Sequence, residues 1–203
     1  MAEGIKIVIA TRNPGKLREI EGILAPFALQ ILSLENFPGL PEVVEDGRTF
    51  AEKAGKKARA IADQTGLLTL ADDSGLIVDA LQGRPGVFSS RYAGENASDP
   101  DRWQKVLIEM AGVPEEKRQA SFVCAIAIAS PRGEMETVEG RCQGQIAFAP
   151  RGEHGFGYDP IFFVPEMGKT MAELEPEVKN RISHRAKALE KLRIILPKYL
   201  KES

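Results

Sequence analysis

Two adjacent aspartates, Asp72 and Asp73, are the residues of this chain whose type and spacing most directly indicate chemistry. They follow a hydrophobic run at residues 67–71 (LLTLA), which predicts a buried strand, and they precede a Ser-Gly pair that predicts a turn. Ligands of open α/β sheets bind outside the carboxyl ends of the strands. Neighbouring carboxylates at that place repel each other unless a cation compensates them, and Mg²⁺ takes such oxygen ligands. A solvated acidic turn is the alternative, so the complementary charge of other segments decides between the two interpretations.

A candidate phosphate-binding segment lies near the start of the chain, at residues 10–16 (ATRNPGK). The apolar run at residues 5–10 predicts a buried strand, and Asn13 and Pro14 predict the cap and the first position of a helix. The N–H groups and the dipole of a helix amino terminus favour phosphate, and Lys16 adds positive charge there. An ordinary capped helix with a surface lysine is the alternative.

Lysines on a predicted helix after Thr49 are a second source of positive charge. Thr49 and Glu52 form the pattern of a capping box at its start. Lys53 and Lys57 lie four residues apart and therefore share one helix face. This face is placed to reach phosphates if the helix borders the acids, although a solvated lysine face is the commoner meaning of such a pattern.

Two segments in the second half of the chain carry groups that suit a planar base. Residues 155–160 (GFGYDP) place glycines around Phe156 and Tyr158, which is typical of a loop that presents a ring for stacking. A glycine-rich turn with core aromatics is the alternative. His184 and Arg185 follow a predicted helix cap and add hydrogen-bond donors at a positive helix end. Together with the lysines and the acids, these groups fit a nucleotide bound with a divalent metal.

Both helices and strands are predicted to position these groups. Helices are predicted to begin after Asn13, after Thr49, after Ser98 or Asp99, and after Ser183, the last of them closed by Pro197. Strands are predicted at residues 5–10, 29–34, 67–71, 76–81 and 161–164, with a long hairpin at 121–130 and 134–143. We therefore predict an α/β fold with a mixed sheet, in which residues 1–203 form a single domain of two lobes around one central cleft.

Composition argues against several classes of protein. The chain has 203 residues, and its 27 Lys and Arg against 29 Asp and Glu leave a net charge of -2 without the basic surplus of nucleic-acid-binding proteins. No uncharged apolar run approaches the roughly 20 residues that a membrane span needs. Cys124 and Cys142 lack metal-ligand spacing and suit a reducing compartment, and the first residues lack a signal-peptide pattern. We expect a cytoplasmic protein with no membrane or nucleic-acid partner.

Five segments, in order along the chain, strongly resemble the inosine triphosphate pyrophosphatase family, also called XTP/dITP diphosphatases. They are residues 10–16 (ATRNPGK), 71–76 (ADDSGL), 86–94 (GVFSSRYAG), 155–163 (GFGYDPIFF) and 182–185 (ISHR). The resemblance covers essentially the whole chain. It implies an elongated, two-lobed α/β structure with a central cleft, usually a homodimer. It also implies Mg²⁺-dependent hydrolysis of deaminated purine nucleoside triphosphates (ITP, dITP and XTP) to the monophosphate and pyrophosphate.

The resemblance implies roles for individual residues. Asp73 would be the general base and a Mg²⁺ ligand, Glu45 a second metal ligand, and Asp72 would lie close by. Ser74 would contact the substrate. The residues implied to hold the triphosphate are Thr11, Arg12, Asn13, Pro14, Gly15, Lys16 and Lys57. Those implied to hold the base and sugar are Phe156, Gly157, Tyr158, Asp159, Lys179, His184 and Arg185. The family often has Asn at the position of Lys53, which is left outside the set.

Selectivity for deaminated purines has a simple physical basis. Inosine and xanthosine carry a carbonyl at position 6, where adenine carries an amino group. A donor such as Arg185 pairs with the carbonyl but leaves a facing amino group unsatisfied, which costs about 1–3 kcal/mol when buried.

Three other functions compete with this one. The first is a pyrophosphatase for modified pyrimidine or methylated nucleotides, against which the donors at His184 and Arg185 and the Phe156 loop argue. The second is a nucleotide-binding sensor without catalysis, against which Glu45 and Asp73 argue. The third is a nucleic-acid-binding module, against which the balanced charge argues.

Overall fold

The computed structural model describes residues 5–27, 29–41, 43–44 and 46–200. Glu45, one of the two implied metal ligands, lies outside the described residues. Within them, seven strands form one sheet in the order β2-β1-β3-β4-β5-β6-β7. The strands are β1 (Lys6–Ile9), β2 (Gln30–Ser33), β3 (Leu68–Val78), β4 (Gln119–Ala129), β5 (Met135–Ile146), β6 (Phe162–Val164) and β7 (Lys169–Thr170).

The sheet is mixed, and helices separate many of its strands. β1 pairs in parallel with β2 and with β3, whereas β6 pairs antiparallel with β5 and with β7. The helices are α1 (Pro14–Leu24), α2 (Phe50–Thr65), α3 (Asp99–Glu109), α4 (Pro176–Ile182) and α5 (His184–Leu200). The predicted α/β fold with a mixed sheet is thereby confirmed. Among the described residues, the helices are too short or too polar to cross a membrane.

Contacts divide the chain into two compact units, each with its own core. The first unit comprises Met1–Asp73, Cys124–Gly140 and Arg185–Ser203, and the second comprises Ser74–Val123 and Arg141–His184. The first core contains Ile7, Leu70, Ile126, Leu189 and Leu192. The second core contains Leu76, Phe122, Ile161, Phe162 and Met171.

β3 differs from its predicted form at the two aspartates. A turn was expected after residue 71, but residues 72–75 lie inside one continuous strand of 11 residues. The prediction was wrong because the turn preferences of Asp, Ser and Gly are local, whereas β3 is held in the sheet between β1 and β4. β1 stops at Ile9, and the N–H of Ala10 still donates to the carbonyl of Leu70 at 2.7 Å. The aspartates therefore lie just beyond the carboxyl end of β1.

The last helix also differs from its prediction. Pro197 was expected to close it, but α5 continues to Leu200 with Pro197 inside. A proline in a helix interior removes one backbone hydrogen bond. Leu196 and Tyr199 are buried in the first core on either side of it, and this packing favours the continued helix. A short helix, α4, which the sequence pattern did not predict, precedes the expected cap at Ser183.

Candidate active site

The segment between β1 and α1 presents a helix amino terminus with a lysine in its first turn. Asn13 caps α1, because its Oδ1 accepts the N–H groups of Gly15 at 2.8 Å and Lys16 at 3.2 Å. Thr11 orders the residues just before α1, since its Oγ1 accepts the N–H of Asn13 at 3.2 Å. Arg12, Asn13 and Pro14 are exposed, whereas Lys16 is partly buried. The predicted cap is confirmed, and it gives this end of α1 the N–H groups and dipole that favour an anion.

Four charged side chains of the first unit form a connected group, which we call the charge cluster: Lys16, Glu19, Asp72 and Arg185. The Oδ2 atom of Asp72 lies 2.9 Å from the Nζ of Lys16 and 3.3 Å from an Nη of Arg185. The other Nη of Arg185 pairs with Glu19. Asp72 and Arg185 are each 1% exposed. Signs alternate along the cluster, which is the arrangement that buried charges require.

The electrostatics keep Asp72 ionised. Burial acts to raise the pKa of this carboxyl, but the charges of Lys16 and Arg185, with a smaller contribution from Lys57, outweigh it. The pKa of Asp72 is therefore held well below its usual range. Burial acts to lower the pKa of Arg185, and the carboxylates of Asp72 and Glu19 raise it above its usual value. Asp72 is consequently a fixed negative charge at neutral pH and a poor proton acceptor.

Asp73 lies in a different environment from its neighbour. Successive residues of a strand point to opposite faces, so Asp73 points away from the face that holds Asp72. It is partly exposed, as is Ser74 after it. Of the two aspartates, Asp73 is thus the more exposed, although its Oδ2 atom is buried.

The Asp73 carboxylate suits one kind of metal site. Within the described ranges, no group of three or more His, Cys, Asp and Glu side chains is arranged to hold a metal ion. Mg²⁺ in nucleotide enzymes is usually bound by one or two carboxylates together with substrate phosphates. A partly exposed carboxylate such as that of Asp73 fits that arrangement, whereas a closed site made only of protein ligands does not.

Helix α2 contributes its lysines differently from the sequence-based expectation. Lys53 and Lys57 are on this helix as predicted, but Lys53 is 3% exposed and therefore buried. Lys57 is partly exposed, and its charge acts on Asp72. Of the two, Lys57 is the lysine whose position fits an anionic ligand near the charge cluster.

In the second unit, the loop at residues 155–160, which we call the aromatic loop, is organised by a buried ion pair. The Oδ2 atom of Asp159 accepts the N–H of Phe156 at 2.9 Å and lies 2.6 Å from the Nζ of Lys179. The Nζ of Lys179 is also 4.7 Å from the centroid of the Phe156 ring. Asp159 and Lys179 are 3% and 5% exposed. A single carboxylate oxygen thus positions both the backbone of Phe156 and the cation over its ring.

The two aromatic residues of the loop have different surroundings. Tyr158 is buried, and its hydroxyl donates to the carbonyl of Ser89 at 2.8 Å. Phe156 is partly exposed. Of the two rings, Phe156 is therefore the one accessible to a ligand, and Tyr158 anchors the loop.

His184 and Arg185, adjacent in sequence at the start of α5, belong to different units. The His184 ring stacks on Phe122 in the second unit with centroids 4.8 Å apart, and His184 is 6% exposed. Arg185 belongs to the charge cluster of the first unit. The structure thus brings Lys16, Lys57 and Arg185 to Asp72, and it brings Lys179 and Asp159 to Phe156.

Gly155→Ala is expected to destabilise the protein by about 1–3 kcal/mol. The φ of Gly155 is +80°, and a Cβ added there lies 2.1 Å from the Oδ2 of Asp159. The methyl group therefore displaces the carboxylate that holds Phe156 and Lys179. Gly168→Ala is the matched control, because φ is +63° there and an added Cβ meets open space among the described residues. Urea denaturation of both variants measures the difference, and equal losses of stability would contradict the proposed clash.

Comparison with known proteins places the chain in a family. Residues 7–195 match the sequence model of the Ham1 family. The chain belongs to the Ham1 family. A dITP/XTP pyrophosphatase of Geobacter sulfurreducens is 58% identical to it over 184 residues, covering 91% of this chain and 92% of that protein. A Bacillus subtilis protein of the same name is 51% identical over 189 residues, covering 93% and 96%.

A solved structure of a Ham1 protein shares the fold. The HAM1 protein from Coxiella burnetii superposes with a TM-score of 0.87 at 46% identity, covering 96% of this chain and 99% of that chain. These findings confirm the family resemblance that the five segments indicated.

Three residues of this Ham1 chain that organise the candidate site were missed from the sequence. They are Glu19, which pairs with Arg185, Phe122, which stacks on His184, and Asp99, which accepts the N–H of Gly157 at 2.6 Å. Glu19 had a detectable signal, because it lies three residues after Lys16 on the same face of α1. Phe122 and Asp99 had none, because nothing in their local sequence indicates which residue they contact.

Proposed function

We propose that this protein hydrolyses deaminated purine nucleoside triphosphates, namely ITP, dITP and XTP, to the nucleoside monophosphate and pyrophosphate. The observation that carries the proposal is that Lys16, in the first turn of α1, lies 2.9 Å from Asp72, and Asp72 is next in sequence to the partly exposed Asp73. Anion-binding groups and the strand segment that carries Asp73 therefore lie close together, as cleavage of a phosphoanhydride requires. The names of the Geobacter and Bacillus relatives support the substrate class.

The triphosphate is assigned to the first unit. The loop and first turn of α1 supply backbone N–H groups, and Lys16 and Lys57 supply charge. The proposed triphosphate-binding residues are Thr11, Arg12, Asn13, Pro14, Gly15, Lys16 and Lys57. Asp72 holds Lys16 and Arg185 in place by ion pairs, and its low pKa keeps this role unchanged at neutral pH.

Asp73 is the proposed catalytic residue, and Ser74 the proposed contact to the substrate beside it. The reaction needs an aligned water molecule and charge neutralisation more than covalent catalysis. Asp73 orients that water and accepts its proton, since its position on β3 is the more exposed of the two aspartates. Asp73 and Glu45 are the residues proposed to hold Mg²⁺. When bound, the ion neutralises phosphate charge and makes the water more acidic.

The base and sugar are assigned to the aromatic loop and the start of α5. Phe156 stacks on the base, while Lys179 and Asp159 hold the loop in shape. Glu19 and Asp72 fix the orientation of the Arg185 guanidinium, whose donors suit a carbonyl at position 6. The full set proposed for the base and sugar is Phe156, Gly157, Tyr158, Asp159, Lys179, His184 and Arg185.

Further properties follow from the resemblance and the composition. We propose a single domain of two lobes that acts as a homodimer in the cytoplasm, with no nucleic-acid partner. The buried thiols of Cys124 and Cys142 and the net charge of -2 support the compartment and the absence of that partner. Light scattering during gel filtration tests the dimer, and a monomer at micromolar concentration would contradict it.

Pyrophosphate release from ITP, XTP, GTP, ATP and dUTP, with Mg²⁺ and with a chelator, tests the function. We expect metal-dependent release from ITP and XTP at a kcat/KM at least about tenfold above that for ATP, because a donor facing the adenine amino group leaves it unsatisfied. Preference for dUTP would favour the pyrimidine alternative. Nucleotide binding without turnover would favour the sensor.

A further inference from the structure

The middle of the aromatic loop is tied to helix α3 by a carboxylate that has no assigned role. The Oδ2 atom of Asp99 accepts the N–H of Gly157 at 2.6 Å. The Oδ1 atom of Asp99 pairs with Arg102 at 2.8 Å, and Arg102 donates to the carbonyl of Ser90 at 2.6 Å. Asp99 is therefore held in place on one side while it holds the loop on the other.

A second tie runs from the loop to the 3₁₀ helix Gly86–Arg91. Tyr158 donates to the carbonyl of Ser89 at 2.8 Å. The hydroxyl of Ser89 accepts the N–H of Leu76 at 2.9 Å and donates to the carbonyl of Gly86 at 2.6 Å. The segment at residues 86–94 is one of those that resemble the family, but it contains no assigned ligand contact. These hydrogen bonds show that it supports the aromatic loop.

The two carboxylates that bind the loop act on either side of one residue. Asp159 holds the peptide group that precedes the Cα of Phe156, through the N–H of Phe156 itself. Asp99 holds the peptide group that follows it, through the N–H of Gly157. Because φ and ψ are rotations between these two peptide groups, fixing both restrains the backbone of Phe156. The direction of the ring depends on that backbone through its preferred rotamers.

We propose that Asp99 is a positioning residue that sets the orientation of the Phe156 ring for stacking on a purine base. This inference rests on the proposed function, because the benefit of a fixed ring is a lower entropy cost when the base binds. A fixed aromatic ring binds a planar base at a lower cost in conformational entropy than a mobile ring. In this proposal Asp99 fixes the ring through the backbone of the loop and does not touch the substrate.

The test compares Asp99→Ala with Asp99→Asn, whose side-chain oxygen can still accept from Gly157. Asp99→Ala is expected to raise the KM for ITP about tenfold with kcat changed less than about twofold, as for lost binding of ground and transition states alike. Asp99→Asn is expected to stay within about threefold of wild type, since it retains the hydrogen bond. Glu95→Gln, which removes one exposed negative charge four residues earlier, controls for net charge.

Amide hydrogen exchange of residues 155–160, without nucleotide, supplies a readout that does not depend on activity. Faster exchange in Asp99→Ala alone, together with its raised KM, supports the proposal. Unchanged exchange, unchanged KM, or equal effects in Asp99→Ala and Asp99→Asn would overturn it. If Asp99→Ala does not fold, protection of the Gly157 amide in the wild type decides, and an unprotected amide overturns the proposal. Wild-type inactivity on ITP and XTP would refute the proposed function separately.

Discussion

Asp73→Asn is expected to lower kcat for ITP by about 10²–10⁴-fold, the usual contribution of a general base. The substitution keeps the size of the side chain but removes its negative charge and its capacity to accept a proton. Because residues 72–75 lie within the continuous strand β3, the sheet holds the backbone of position 73 in either variant. Steady-state kinetics with ITP and Mg²⁺ measures the loss, and calorimetric titration measures nucleotide binding, which is expected to change much less than kcat.

Asp79→Asn is the matched control for this variant. Asp79 directly follows the same strand and is exposed, so its substitution changes the net charge equally without altering the proposed site. Its kcat is expected to match that of the wild type. An Asp73→Asn enzyme with full activity would remove Asp73 from the mechanism, and equal losses in both variants would indicate a general effect of charge.

The parts of the fold and site that sequence patterns predicted are those determined by near neighbours. The cap of α1 is an example, since Asn13 bonds to N–H groups two and three residues later. The start of α2 is another, because the Oγ1 of Thr49 accepts the N–H of Glu52 at 3.1 Å. Such interactions involve only a few consecutive residues, so residue types and spacing are sufficient to predict them.

The charge cluster could not be predicted in the same way. Arg185 lies 113 residues from Asp72 and 166 residues from Glu19 along the chain, and no local pattern links them. Distance along the chain also explains the wrong prediction for β3, because pairing with strands that are distant in sequence overrides the turn preference of residues 72–75. It also explains why the loop sequence alone could not distinguish the partly exposed Phe156 from the buried Tyr158.

Asp72→Asn is expected to destabilise the protein by about 3–5 kcal/mol at pH 7, the usual cost of removing one partner from a buried ion pair. Asn fills the same space but leaves the charges of Lys16 and Arg185 without the carboxylate that compensates them. Asp63→Asn provides the comparison, since Asp63 pairs with Arg59 at 3.5 Å with a side chain 56% exposed. An exposed pair contributes at most about 1 kcal/mol. Urea denaturation measures both, and equal losses would show that the charge cluster adds nothing beyond a surface ion pair.

The pH dependence of the stability difference between wild type and Asp72→Asn tests whether the charge of Asp72 causes the stabilisation. Burial opposes ionisation of Asp72, but Lys16 and Arg185 hold its pKa below the usual value of about 4. A carboxyl with a lowered folded-state pKa stabilises the protein above its unfolded-state pKa, and this contribution is lost as the pH falls toward the folded-state pKa. The difference in unfolding free energy between wild type and Asp72→Asn should therefore be constant from about pH 5 to 7 and shrink below about pH 4. A difference that stays constant down to pH 3 would mean that Asp72 stabilises the protein through its shape rather than its charge.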